Sequence, residues 1–352
     1  MAAAIDRGIT VLAAPTTSGG IRAVFPDVSG GPPEPISVDA LLGWRTMSTT
    51  GPGDYLRAVV ASALDADLTV RRSLDLVVHG DIPVGGALSS SAALCVGLAN
   101  TLVEHPPGKP ELVLLAQDAE HRVGAPVGTM DQSASVFGGL ILFGGSPHHI
   151  TSMTVDLAEH RFVVLGSGVR HRVANSSYGE RVEECRLALE RLRSGLGRSI
   201  QGLTDVTVDE LEAANAAGAF TDAPTLYLRA RHIITEVARV RASLSALDVG
   251  EWEQFGALMN ASGRSSATDY DISHPVVEEL VALAKEVDGV LGARMMGGGE
   301  GGNALALVEE SAIPALEAHL GTTFYAPRGY DRQTMVFVCR IGEAASVAVV
   351  DR

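Results

Sequence analysis

Cysteine is scarce in this sequence. Cys95, Cys185 and Cys339 are the three cysteines among 352 residues, and they lie far apart along the chain. A disulfide framework or a zinc site needs more cysteines at closer spacing, so neither is predicted. Cys95 lies among alanine, valine and leucine in a helical stretch, and we expect it in a hydrophobic core.

Basic residues are also few. Lysine and arginine number 27 against 42 aspartates and glutamates, which gives a net charge of −15. Nucleic acids and anionic membranes bind through clustered basic side chains, so neither is expected as a partner. An anionic ligand would need local help from backbone amides, an arginine or a divalent cation.

Long apolar runs and a secretory signal pattern are missing as well. No stretch approaches the length that spans a bilayer, and the chain does not open on a signal peptide. A hydrophobic content of 46% with 20% charged residues is typical of a soluble globular enzyme. A length of 352 residues is enough for two domains, each with its own core. We therefore expect a soluble cytoplasmic protein, and the sequence does not indicate its oligomeric state.

One stretch of small residues organises the first half of the chain. Pro83–Ala93, which contains three consecutive serines, follows an apolar strand pattern at Leu74–Val78 and leads into a helical pattern at Ala92–Leu102. A strand, a small-residue loop and a helix start point several backbone N–H groups at one anion. The alternative is a serine N-cap in an ordinary tight turn.

Two further loops carry chemistry. Gly124–Gln132 delivers Asp131 in a Gly/Pro turn, where its carboxylate could accept a proton from a hydroxyl group. Met295–Asn303 has five glycines in six positions, which allows a close approach of backbone and ligand. The alternatives are a turn-forming aspartate and a plain flexible turn. Together the loops suggest nucleotide phosphates held by amides and Mg²⁺, although no P-loop, dinucleotide or protein-kinase motif occurs.

The remaining pattern indicates mixed α/β structure. Residues 4–14 predict a strand with a hairpin partner at 19–25, and the pattern over 207–262 predicts a long helical region. From residue 275 onward helices and strands alternate, which predicts a second small domain. His232 and Glu236 are spaced as a pair on a helix surface.

Several of these segments together resemble the GHMP superfamily of small-molecule kinases, and most of all the galactokinases. The residues that carry the resemblance are the Pro83–Ala93 loop, Gly128-Thr-Met-Asp-Gln132, Val169-Arg-His171 with Ser177-Tyr178, Ala230–Glu236, Asp269–Ser273 and Gly292–Gly302. They cover nearly the whole chain in the family's order.

The resemblance implies an α+β, two-lobed GHMP kinase fold. Its N-terminal half (1–165) would be like ribosomal protein S5 domain 2 and would bind ATP, and its C-terminal half (166–352) would be ferredoxin-like. The implied reaction transfers the γ-phosphoryl group of Mg-ATP to the anomeric hydroxyl of a hexose. Asp131 matches the catalytic carboxylate, Ser91 and Glu120 match Mg²⁺ ligands, and Gly128, Asp131 and Tyr178 match sugar contacts. The implied nucleotide-binding residues are Pro83, Gly85, Gly86, Ala87, Leu88, Ser89, Ser90 and Ser91.

The sequence also departs from the family pattern. The galactokinase segment Gly-Arg-Val-Asn-Leu-Ile-Gly-Glu-His-x-Asp-Tyr does not precede Ala4–Gly8, so we expect the arginine partner of Asp131 and part of the sugar-binding wall to be absent from this sequence. Ala87 replaces a glycine, and one residue fewer separates Glu120 from Gly124. A catalytically impaired relative that binds nucleotide and sugar as a sensor or partner is therefore the alternative to an active sugar kinase. A start site upstream of Met1 would also account for the missing segment.

Overall fold

A computed structural model describes residues 1–17, 19–28, 35–82, 88–169 and 178–349, with Tyr178 described by its backbone alone. The chain divides into two compact units, residues 1–156 with 340–352, and residues 157–339. The first unit therefore contains both ends of the sequence. The predicted division into 1–165 and 166–352 stays a prediction.

Among its described residues, the first unit contains two three-stranded sheets and four α-helices. Its elements are β1 (Ala2–Ala3), β2 (Ile9–Pro15), β3 (Gly20–Val24), α1 (Pro52–Asp65), β4 (Ser73–Gly80), α2 (Ser90–Leu102), α3 (Lys109–Arg122), α4 (Met130–Phe137), β5 (Leu140–Phe143) and β6 (Ile150–Met153). The strand orders are β1-β5-β6 and β2-β4-β3. The helices α1, α2 and α3 pack against one another, and α4 packs against α2 and α3.

Strand β4 is the centre of its sheet, and this corrects the predicted hairpin. β4 pairs antiparallel with β2 and parallel with β3, so β2 and β3 are separated by β4. Leu74, Leu76 and Val78 alternate inward from β4 into the core, which makes it the best-buried strand of the three. The patterns at 4–14 and 19–25 predict strands but not which strands pair. Pairing depends on which faces of the strands are buried in the folded unit.

Helix α2 is apolar on most of its surface, and it packs against α1, α3, α4 and strand β2. Its interior residues Cys95, Leu98 and Leu102 are fully buried in one cluster with the inward faces of α1, α3 and β4. The expected core position of Cys95 is confirmed, and burial raises the pKa of its thiol. A thiol held protonated in an apolar cluster serves packing and not nucleophilic chemistry.

Residues 340–345, the terminal segment, return to the first unit and fasten α4 to β1. The Gly342 amide donates to Ala4 O, the Gly139 amide to Gly342 O and the Ala345 amide to Ser135 O, each at 2.9 Å. Gly138, at φ +69°, lies so close to this segment that a Cβ there would be 2.2 Å from the Ala344 nitrogen. The terminal segment therefore depends on a glycine at the end of α4.

The second unit combines a four-stranded sheet with a helical layer. Its elements are β7 (His160–Gly166), α5 (Tyr178–Gly195), α6 (Val208–Ala216), α7 (Pro224–Val249), α8 (Trp252–Thr268), α9 (Pro275–Ala284), β8 (Val290–Met295), β9 (Asn303–Glu309), α10 (Ile313–Leu320) and β10 (Val336–Cys339). The sheet order is β10-β7-β9-β8, with all pairs antiparallel. Within the described residues, no helix has the length and apolarity needed to cross a bilayer.

His232 and Glu236 on α7 do not form the predicted helix-surface pair. His232 is buried, its Nδ1 shares a 2.9 Å hydrogen bond with Ser265 Oγ of α8, and its ring stacks on Tyr270 at 4.4 Å. Glu236 instead bonds Arg239 and Ser262. The i, i+4 spacing suggested a pair, but α8 covers this face of α7 and supplies closer partners. Burial lowers the pKa of His232 to about 4.

The contact at Gly138 yields the first prediction. Gly138→Ala should lower the free energy of unfolding by about 2–6 kcal/mol, because a backbone at φ 69° and ψ 173° costs a non-glycine residue about 1–3 kcal/mol and overpacking adds about 1–3 kcal/mol. Gly145→Ala is the matched control, since Gly145 has φ +84° and no atom lies within 4 Å of the place where its Cβ would be. Equilibrium urea unfolding measures both variants, and equal losses would contradict the role of the terminal segment.

The buried imidazole yields the second prediction. Its pKa is about 4 in the folded chain against about 6.5 when unfolded, so below pH 6.5 only the unfolded chain takes up the proton. Stability that is present above pH 6.5 is therefore lost as the pH falls. Between pH 7 and pH 5 we expect a loss of about 2 kcal/mol that His232→Gln removes. Urea unfolding across this range would refute the assignment if both chains lost the same amount.

Candidate active site

The serine triplet lies where α2 begins. Ser90 and Ser91 occupy the first turn, and Ser89 precedes it in a left-handed conformation at φ 56° and ψ 36°. The Ser89 side chain makes no capping hydrogen bond, so the alternative of a serine N-cap is not realised. Leu88 to Ser91 are half-buried, whereas the predicted nucleotide-binding residues Pro83, Gly85, Gly86 and Ala87 lie outside the described residues.

Glu120 receives hydrogen bonds from two other helices. It lies in the last turn of α3 with only 2% of its surface exposed. Ser91 Oγ of α2 donates to its Oε1 at 2.7 Å, and Gln132 Nε2 of α4 donates to its Oε2. The first turns of α2 and α4 thus meet at one carboxylate. The predicted metal ligands Ser91 and Glu120 are therefore in direct contact.

The surroundings of Glu120 oppose its ionisation. Burial raises the pKa of Glu120, the hydrogen bonds from Ser91 and Gln132 lower it, and the nearby Asp131 charge raises it; the net direction is upward. Burial also raises the pKa of Tyr55, on α1, to about 12, with the charge of Glu120 acting in the same direction. A positive charge beside this carboxylate would therefore be stabilising.

Asp131 lies on a helix and not in a turn, which corrects the predicted placement. It belongs to the first turn of α4, and its side chain is exposed while its neighbours Gln132 and Ser133 are buried. The Ser133 hydroxyl donates to Thr129 O at 2.6 Å and holds the start of this helix. A carboxylate at a helix N-terminus is favoured by the unpaired N–H groups there.

The loop before α4 is fixed by side chains of α3. Gln117 Nε2 donates to Val127 O at 2.9 Å, and the His121 ring lies at the same distance from that oxygen. The predicted sugar contact Gly128 is exposed, with open space where a side chain would point. The loop therefore presents an open backbone surface directly before Asp131.

The described residues offer oxygen ligands suited to a divalent cation. Ser91 contributes a hydroxyl and Glu120 a carboxylate, and Gln132 Oε1 is buried with no hydrogen-bond partner among the described residues. No group of three histidine, cysteine, aspartate or glutamate side chains that could hold a metal occurs in the part of the chain that is described. One carboxylate with a hydroxyl and substrate phosphates is the usual setting of Mg²⁺, so the residues present fit this ion.

The third predicted loop belongs to the second unit. A Cβ at Gly299 would lie 2.3 Å from Ile272 O, and one at Gly301 would lie 2.8 Å from the Val169 side chain. The Glu300 amide donates to Ile272 O, and the Gly302 amide donates to Val169 O. These glycines allow the loop to lie against the segments at 169 and 272. The predicted sugar contact Tyr178 is the first residue of α5.

Comparisons with known proteins place both units in one kinase family. The family model for the GHMP kinases N terminal domain matches residues 54–139, and that for the GHMP kinases C terminal region matches 243–326. A galactokinase of Chloroflexus aurantiacus is 36% identical over 83% of this chain and 75% of its own length. A galactokinase of Roseiflexus is 33% identical over 97% and 85%. The chain belongs to the galactokinase family of GHMP kinases.

Solved structures agree with this family. A Lactococcus lactis galactokinase complexed with galactose has a TM-score of 0.82 and 27% identity, covering 97% of this chain and 87% of its own. The Methanococcus jannaschii mevalonate kinase shares the fold at a TM-score of 0.62 and 16% identity. The predicted GHMP kinase fold is confirmed. As a galactokinase-type sugar kinase, the chain is a phosphotransferase that uses ATP and acts on an alcohol group of a sugar.

Sequence reasoning did not find all of the contacts at Glu120. The motif that contains Gln132 assigns no task to that residue. A signal did exist for Gln132, since it is a long polar residue on the apolar side of the short α4 pattern. Nothing in the spacing could show that α3 and α4 bring Glu120 and Gln132 together.

The backbone at Ser89 yields the third prediction. Ser89→Gly should raise the free energy of unfolding by about 1 kcal/mol, because glycine adopts the left-handed region without the cost borne by serine. Ser90→Gly is the matched control, and it should lower stability by up to about 1 kcal/mol because Ser90 is helical. Urea unfolding would contradict the assigned conformation if Ser89→Gly were the more destabilising change.

Proposed function

We propose that Ser91, Glu120 and Asp131 are the catalytic part of a sugar 1-kinase site that uses Mg-ATP. The observation that carries the proposal is the convergence of the first turns of α2 and α4 on Glu120. The convergence brings the serine triplet and the Met-Asp-Gln segment together within one unit. A transfer reaction needs the phosphate-binding and the proton-accepting groups to be held in this way.

Asp131 is proposed to act on the acceptor hydroxyl. Its exposed carboxylate can orient the anomeric hydroxyl of a hexose and accept its proton as the oxygen bonds to the γ-phosphorus. The bond from phosphorus to the β–γ bridging oxygen breaks in the same step, and ADP leaves with that electron pair. Galactose is the proposed first substrate, because it is the ligand named for the similar Lactococcus lactis structure.

Ser91 and Glu120 are proposed to hold Mg²⁺ through their oxygens. The ion, when bound, neutralises charge on the phosphates during transfer. Glu120 suits this task because it is buried and already fixed from two sides. The proposed nucleotide-binding residues remain Pro83, Gly85, Gly86, Ala87, Leu88, Ser89, Ser90 and Ser91, and Gly128 and Tyr178 remain proposed sugar contacts.

The fourth prediction tests the role of Asp131. Asp131→Asn should lower the kcat for galactose phosphorylation by roughly 10²–10⁴-fold, because the amide cannot accept the hydroxyl proton. Binding of Mg-ATP should stay unchanged, since Asp131 is not among the proposed nucleotide ligands. A coupled ADP-release assay over a panel of hexoses measures turnover, and calorimetry measures nucleotide binding.

Glu111→Gln provides a matched control for this experiment. Glu111 is also an exposed acid in the first turn of a helix of the same unit, α3. Its replacement should leave turnover unchanged, whereas full activity of Asp131→Asn would remove Asp131 from its proposed role. Binding of Mg-ATP without turnover of any sugar by the unsubstituted chain would favour the alternative of a nucleotide- and sugar-binding relative.

A further inference from the structure

The Gln132 side chain contacts the proposed metal ligand with one end only. Its Nε2 donates to Glu120 Oε2, while its Oε1 is buried and has no hydrogen-bond partner among the described residues. The residue is fully buried in the first turn of α4. An unpaired buried carbonyl oxygen is unfavourable by about 1–3 kcal/mol, so its retention needs a reason beyond packing.

The two donors at Glu120 differ in what they can do when a cation binds. Ser91 is itself a proposed cation ligand, so its hydroxyl would have to serve the cation as well as Glu120. Gln132 cannot bind the cation with Nε2, because an amide NH₂ group has no free lone pair for a metal. Nε2 therefore remains available to fix the Glu120 carboxylate whether or not the cation is present.

Gln132 also links the two proposed catalytic acids. It follows Asp131 directly, and successive helix residues project about 100° apart, so one side chain can face inward while the other faces outward. The hydrogen bond from Gln132 to Glu120 therefore ties the first turn of α4, and Asp131 with it, to the end of α3.

We propose that Gln132 is a positioning residue for the divalent cation. Its amide fixes the Glu120 carboxylate, and its unpaired Oε1 accepts a hydrogen bond from a water molecule that the cation retains. Mg²⁺ keeps several waters in protein sites, which gives the orphaned oxygen a donor when the site is filled. The inference rests on the proposed function, because that function supplies the cation.

The fifth prediction uses Mn²⁺ as a probe of the site. In the presence of ADP, Gln132→Met should weaken Mn²⁺ binding by roughly 10–100-fold, the usual effect of losing a partner that orients a metal ligand. ADP binding without metal should not change. Free Mn²⁺ is measured from its electron paramagnetic resonance signal, and the Mg²⁺ concentration needed for half-maximal turnover should rise in parallel.

Two further variants separate positioning from folding. Ser62→Ala removes another buried donor of the first unit, which lies on α1 and bonds Asp118 at 2.7 Å, so Mn²⁺ binding should be unchanged even if stability falls. Gln132→Asn keeps the amide on a shorter side chain and should also weaken Mn²⁺ binding. This variant stands in if Gln132→Met does not fold.

The possible outcomes distinguish this inference from the proposed function. If the unsubstituted chain binds Mn²⁺ with ADP and both Gln132 variants bind it equally well, Gln132 has no positioning role and the cation site remains. If the unsubstituted chain binds no Mn²⁺ with ADP, the cation site fails and the inference fails with it. Weakened Mn²⁺ binding with an unchanged affinity for metal-free ADP supports the inference.

Discussion

The first unit depends on one buried acid. Removing an ionised carboxylate from water costs several kcal/mol unless polar partners replace the lost hydration. At Glu120 these partners come from the beginnings of α2 and α4, and both oxygens of the carboxylate are satisfied. The acid therefore defines where three helix ends must meet. Moving the start of α2 or of α4 would leave one buried oxygen of this carboxylate without its donor.

This arrangement assigns different tasks to adjacent residues of α4. Gln132 and Ser133 face inward and hold the helix in place, whereas Asp131 faces outward and is free to meet a substrate. The core beneath is apolar and tightly packed, so it resists small displacements. The proposed catalytic side chain, Asp131, is thus held on a short helix whose neighbouring residues are rigidly packed. Catalytic groups need such support, because small misplacements reduce the rate strongly.

Much of the fold could be predicted because its helices are strongly patterned. The helical pattern predicted at Ala92–Leu102 lies within α2, and the buried position of Cys95 follows from its apolar neighbours. Strand partners could not be predicted, because the sequence does not state that β4 lies between β2 and β3. The burial of the His232 side chain could not be predicted either, because it depends on which side of α7 is covered by α8.

The candidate site shows the same limit at closer range. The motifs singled out Asp131 and Ser91 as candidates, and these roles stay predictions, whereas the turn predicted around Asp131 is the start of a helix. The link from Ser91 through Glu120 to Gln132 joins residues far apart in the chain, and tertiary packing alone creates it. The local sequence pattern thus indicates the candidate side chains, whereas the hydrogen bonds between them depend on how the helices pack.

The path of the terminal segment has a consequence for how the protein is made. Residues 340–345 close the junction of β1, α4 and β5, yet the ribosome synthesises them after the whole second unit. Domains made first during synthesis usually fold first, but here the earlier unit must wait for a stretch of chain that follows the later one. The hydrogen bonds that the terminal segment gives to the α4–β5 junction can therefore form only after the second unit has been synthesised.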